Sequence, residues 1–277
     1  MKATFQVLAT ALVASAALSA ARADGYEPTV VRTAGEAAFS GPYIGLNAGA
    51  AWGSSSYATN PGCPFSTFAV FCDSGEPSRA NGPAVAQSGS GDLSSSGFTG
   101  IQGGYNWQVG RIVFGGEGDF GAFNLGKSVS RSGTFPVSFL GNAYTLDESM
   151  STDWLITLRG RLGFTVTPSL MLYGTVGVAL TDFKFSSSYS DNAIDSTFPG
   201  GTGSLSVSNV LTGWTIGGGG EWLLNDRWSI KGEYLYVDFG STNMPVALSN
   251  TEDYRQTMWV DADLSAQVAR VGINYRP

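Results

Sequence analysis

The sequence predicts an all-β fold: an eight-stranded antiparallel up-and-down transmembrane β-barrel with four long external loops and three short periplasmic turns. Three observations lead there. Apolar residues alternate with polar or small ones over stretches about 9–11 residues long or slightly longer, the length of a tilted strand that crosses a bilayer. The connections between these stretches alternate long and short. Aromatic residues gather at strand ends.

The chain starts "MKATFQVLATALVASAALSAARADG", with Lys2, an apolar run from Phe5 to Leu18 and then Ala21-Arg22-Ala23. A basic start, a short apolar run and an A-x-A site read as a secretory signal over residues 1–23. The run falls short of the roughly 20 residues of a transmembrane helix. Asp24–Ser40 reads as a flexible periplasmic leader, and the barrel takes residues 41–277.

The candidate strands are Tyr43–Trp52, Thr99–Trp107, Arg111–Phe120, Thr152–Phe164, Leu170–Thr181, Leu211–Trp222, Trp228–Asp238 and Ser265–Arg276. An even number suits a bacterial single-chain barrel. A Gly/Ser-rich connection spans residues 53–98, then "QVG" is a tight link. Long connections over about 121–151, 182–210 and 239–264 are separated by "TVTPS" and "LLNDR". Long loops outside, short turns and both termini in the periplasm are the outer-membrane pattern.

Within strands the two faces differ. Trp154, Ile156, Leu158, Leu162 and Phe164 share one face, while Asp153, Thr157, Arg159 and Arg161 share the other. A soluble sandwich would alternate in the same way, so aromatic placement decides. Trp107, Phe164, Trp222, Trp228 and Tyr275 fall at periplasmic strand ends. Trp52, Phe120, Trp154, Trp214 and Tyr236 fall at or near external ends. Two girdles of amphipathic rings match two membrane interfaces.

If the apolar faces meet lipid, the charges look inward. The lumenal set is Glu117, Asp119, Arg159, Arg161, Glu221, Lys231, Glu233 and Arg270. A basic residue on the lipid side at mid-membrane would cost about 2–4 kcal/mol. Neighbouring strands suggest the pairs Glu117–Arg159, Glu221–Lys231 and Glu233–Arg270. Eight strands leave an interior just wide enough for side chains to fill. The expectation is therefore a plug of paired charges, with a gated narrow conduit as the alternative.

Composition supports a chain only partly in water. Charged residues make up 13%, against about 25–35% on an ordinary soluble surface. The net charge of −7 argues against nucleic acid as a partner. The absence of histidine excludes His-dependent triads, and no residues form a catalytic set or a metal site. No cofactor is expected. Cys63 and Cys72 lie in the Gly/Pro-rich "NPGCPFSTFAVFCDSGE" and are expected to pair as a loop disulfide, worth about 2–3 kcal/mol locally. Glu252, Asp253, Asp261 and Asp263 lack the spacing of a calcium loop. "GWTIGGGGEW" lacks the Lys and helix of a phosphate cradle, so its glycines read as small residues on a crowded strand.

"GPYIGLNAGAAWG", "GGYNWQVGRIVFGGEGDF", "LRGRLGFTVTPSLMLYGTVGVAL", "RWSIKGEYLYVDFG" and "VARVGINYRP" resemble the porin-like outer-membrane barrels of alphaproteobacteria, the small surface-antigen group. The likeness covers roughly residues 40–277. It implies a non-enzymatic, immunogenic surface protein that supports envelope integrity. Pore activity or haem binding, credited to some relatives, are its alternatives. Expected partners are outer-membrane lipids, lipopolysaccharide and the assembly machinery, which reads the C-terminal strand. That strand usually ends on Phe in this family, and Pro277 stands there instead.

Overall fold

The computed structural model describes residues 38–61, 88–135, 141–192, 202–249 and 255–277. The expected signal sequence, most of the expected leader and the Cys63–Cys72 pair lie outside the described residues.

The described residues form an antiparallel all-β sheet. Its strands are β1 (Gly41–Pro61), β2 (Ser88–Asp92), β3 (Ser96–Val109), β4 (Ile112–Phe123), β5 (Gly126–Thr134), β6 (Ala143–Ser151), β7 (Trp154–Thr167), β8 (Leu170–Asp191), β9 (Thr202–Leu223), β10 (Trp228–Ser249) and β11 (Arg255–Tyr275). The ladders run β1–β3–β4–β7–β8. They continue β8–β9–β10–β11, and β11 pairs back onto β1. All the candidate strands lie on this path. β2 adds to β1, while the β5–β6 hairpin adds to the far end of β8.

Three connections between neighbouring strands of this closed path are tight. Gly110, with φ of +60°, and Arg111 join β3 to β4, a left-handed position that glycine takes without strain. Residues 168–169 join β7 to β8. Between β9 and β10 the Asn225 side-chain oxygen accepts from the backbone N–H groups of Arg227 and Trp228, both at 2.9 Å, as an Asx turn does.

The long connections contain much more strand than the sequence reading assigned to them. β1, β8, β9, β10 and β11 continue well past their expected limits, and β2, β5 and β6 arise wholly within the connections. The physical reason is a reversal of the alternation. Near the tight turns, apolar side chains such as Leu46, Leu158 and Val176 point outward. Farther along β8, Phe183, Phe185 and Tyr189 point inward and are buried, while Lys184, Ser186 and Ser188 are exposed. Such a run has a strand period, yet its polar face looks like loop composition.

The interior is layered. Phe39, Val113, Met171, Tyr173 and Leu223 form an apolar cluster at the end with the tight turns. A second, larger cluster occupies the opposite half and includes Phe98, Phe123, Leu155, Phe183, Phe185 and Leu235. Most of the buried charges lie on the strand segments between. Close approach of neighbouring strands explains some inward glycines: a Cβ on Gly49 would run into the Ala269 carbonyl oxygen, and one on Gly177 into that of Leu158.

Candidate functional site: a buried layer of ion pairs

β4, β7, β9, β10 and β11 each turn alternate residues inward, and at one level these are charged. Glu117 and Asp119 come from β4, Arg159 and Arg161 from β7, and Glu221 from β9. Lys231 and Glu233 come from β10, and Arg270 from β11. Every lumenal residue named from the sequence is buried.

Arg159 sits in the middle of the set. Its Nη2 is 2.5 Å from Glu117 Oε1 and 2.8 Å from Asp119 Oδ2, and its Nη1 is 2.9 Å from Glu233 Oε1. Its Nε donates to Thr157 Oγ1 at 2.9 Å, and that hydroxyl donates to Asp119 Oδ2 at 2.7 Å. Arg270 Nη2 bridges Glu233 Oε2 at 2.6 Å and Asp119 Oδ2 at 3.0 Å. Arg161 Nη2 holds Glu221 Oε2 at 2.7 Å, and its guanidinium lies 3.9 Å over the centre of the Tyr173 ring. Shared carboxylates of this kind satisfy buried charge through several charge-assisted bonds at once.

One expected pair is corrected. Lys231 and Glu221 stand directly opposite in register, yet Lys231 Nζ reaches Glu117 Oε1 at 2.7 Å and Oε2 at 2.8 Å. Glu221 is taken instead by Arg161 and by Arg276, the latter at 3.1 Å. In so narrow an interior a long side chain meets the opposite wall as readily as its neighbour. Glu117–Arg159 and Glu233–Arg270 are paired as expected.

Sequence reasoning missed several members. Tyr43 donates to Glu117 Oε2 at 2.6 Å, and Tyr173 to Glu233 Oε1 at 3.1 Å. Ser229 donates to Glu221 Oε1 at 2.7 Å. Gln102 joins Asn47, whose Nδ2 lies 3.0 Å from Gln102 Oε1, to Asn274 Oδ1 at 2.5 Å. Strand parity was the available signal, since Arg276 and Asn274 are in phase with Arg270. Arg276 also fixes the end of the expected leader. It donates to the Ala38 carbonyl at 2.8 Å, and its guanidinium lies 5.2 Å over the Phe39 ring.

The named aromatics take the other face. Trp107, Phe164, Trp222 and Trp228 are exposed near the tight turns, and Tyr275 is half-buried there. Toward the other end, Phe120 and Trp214 are exposed, and Trp52, Trp154 and Tyr236 are half-buried. Neighbouring rings touch, as in Trp228–Tyr275 at 5.0 Å and Trp214–Tyr236 at 5.5 Å between centroids. Among the described residues no cluster of acids could hold a metal ion.

Residues 8–276 match the family described as "Outer membrane protein beta-barrel domain". The chain belongs to this family. The 31 kDa outer-membrane immunogenic protein of Brucella melitensis is 33% identical over 98% of this chain and 98% of its own. The 22 kDa outer membrane protein of Rhizobium leguminosarum is 34% identical over 50% of each. The solved outer membrane protein OprG of Pseudomonas aeruginosa aligns at 14% identity with a TM-score of 0.47, covering 89% of this chain and 100% of that one. As a member of the outer-membrane β-barrel family, the protein resides in the outer membrane.

Proposed function

We propose that the protein is a non-enzymatic surface barrel that supports the envelope and displays β-structured extensions outside the cell. The closed path of eight strands crosses the membrane, with its exposed apolar face in lipid and the two aromatic bands at the interfaces. The tight turns and both termini face the periplasm, and the long connections face outward. The observation that carries this reading is the buried ion-pair layer between two apolar clusters. Such an interior ties the wall together across the lumen and leaves solutes no polar path. Partners are then the lipids and lipopolysaccharide around the wall, and the assembly machinery that engages β11. The word "immunogenic" in the Brucella relative's name suits external display.

Single-channel recording in planar bilayers tests the reading. The refolded protein is expected to give no steady conductance. Large, steady channels would overturn the plug and favour a small-solute pore.

A further inference from the structure

Every neighbouring pair of strands in the closed path is also joined by a stretch of chain, except one. β1 and β11 are the first and last strands, and through the backbone only their ladder, starting at Ile44↔Tyr275, holds them together. Parting that ladder in a bilayer would leave two rows of N–H and C=O groups without partners. This seam is where the wall is able to open sideways.

The inner side of the seam is built unusually. β1 turns glycine inward at Gly45 and Gly49, and at both places side chains of the flanking strands meet over its backbone. Gly45 lies in register between Asn274 of β11 and Gln102 of β3. Gln102 Nε2 donates to Asn274 Oδ1 at 2.5 Å, and a Cβ on Gly45 would run into that same oxygen. Gly49 lies between Arg270 of β11 and Phe98 of β3. The Arg270 guanidinium is 5.6 Å over the Phe98 ring, and its Nη2 reaches one strand farther, to Asp119 Oδ2 of β4 at 3.0 Å. Between these two levels the glycines move to the flanking strands. Asn47 of β1 stands between Gly272 and Gly100 and donates to Gln102 Oε1 at 3.0 Å. A Cβ on Gly272 would come within 2.8 Å of Gln102 Nε2.

Arg276 repeats the pattern at the end with the tight turns. It donates to the Ala38 carbonyl at 2.8 Å and covers the Phe39 ring, both in the segment that leads into β1. Arg276, Asn274 and Arg270 are all buried, and each ties β11 to chain on the other side of the seam. Glu221 of β9 anchors two of them from behind, accepting from Arg276 at 3.1 Å and from Asn274 Nδ2 at 3.3 Å.

We propose that these three side chains are a lock on the seam. The ties form only once β11 lies beside β1, and they then keep the first and last strands from parting sideways. Reach past β1 is what makes them a lock, because separating the ladder stretches every tie. A pair such as Arg159–Glu117, on neighbouring strands away from the seam, is left undisturbed when the seam opens. The lock requires the closed path of strands and is independent of which end faces outward.

Hydrogen exchange followed by mass spectrometry on the folded full chain in phosphatidylcholine nanodiscs tests it, since exchange reports local opening ladder by ladder. Gln102→Leu and Arg276→Ala are each expected to speed exchange at least ten-fold in residues 43–50 and 268–275. The β7–β8 ladder, residues 155–165 and 171–181, should stay within two-fold of wild type. Tyr173→Phe is the control: it removes a buried hydrogen bond to Glu233 that does not cross the seam, and should leave seam exchange within two-fold. Equal acceleration of both ladders, no acceleration at the seam, or the same seam effect in Tyr173→Phe would overturn the lock. Wild-type protein in sub-denaturing urea gives a second reading that needs no variant. The seam should exchange no faster than the β7–β8 ladder, and a seam that opens first would refute the proposal.

Discussion

Arg159 donates to Glu117, Asp119 and Glu233 at once, with its side chain wholly shielded from solvent. Truncating it leaves three carboxylates in a dry interior short of a cation, and breaking a buried pair from one side costs about 3–5 kcal/mol. Arg159→Ala is therefore expected to lower the urea midpoint of the refolded barrel strongly. Lys184→Ala supplies the contrast, because Lys184 and Asp153 are about half exposed and exposed pairs add little. The same urea titration should leave Lys184→Ala close to wild type. An equal loss in both variants would show that burial is not what gives Arg159 its weight. The charged members of this layer other than Arg276 were legible in the sequence because strand parity reports which face a residue occupies. Their partners were only partly so. Register pairs Lys231 with Glu221, but the side chain crosses the lumen to Glu117, and no one-dimensional pattern encodes the width of that space.

β8 shows how an element can be read correctly for half its length. Along its first half Leu172, Val176 and Val178 face outward and are exposed, and from Phe183 to Tyr189 the apolar residues face inward and are buried. The period is the same, but in the proposed orientation the outer surroundings change from lipid to water. A sequence reader who fixes the lipid face at Leu172 and Val176 finds serine on that face at Ser186 and Ser188 and ends the strand too early. The inverted half behaves as a small soluble core, so it should respond as one. Phe185 is buried among Phe183, Tyr189 and their neighbours, and Phe→Ala in such a place costs about 3–5 kcal/mol. Phe185→Ala is expected to make the outer extensions sensitive to protease added to whole cells, while the heat-dependent gel shift of the barrel persists. Loss of that shift would mean that the two halves fold as one cooperative unit.

At the scale of the whole molecule, the layers act in series. An ion crossing the interior must pass the apolar cluster around Phe39 and Met171, then the paired charges, then the larger cluster that begins at Phe98 and Leu235. Arg270 links two of these levels, since its guanidinium lies 5.6 Å over the Phe98 ring while its Nη2 holds Glu233. The charged layer alone predicts that removing Arg159 opens a conduit; the apolar layers on both sides predict that it does not. Apolar constrictions exclude ions by staying dry, and the strands around them keep their ladders when one arginine is truncated. Arg159→Ala and Phe39→Ala are therefore each expected to stay as non-conducting as the wild-type protein in planar bilayers, although the first is clearly less stable to urea. Steady conductance in Arg159→Ala alone would show that the ion pairs are the sole barrier and that the apolar clusters do not close the lumen.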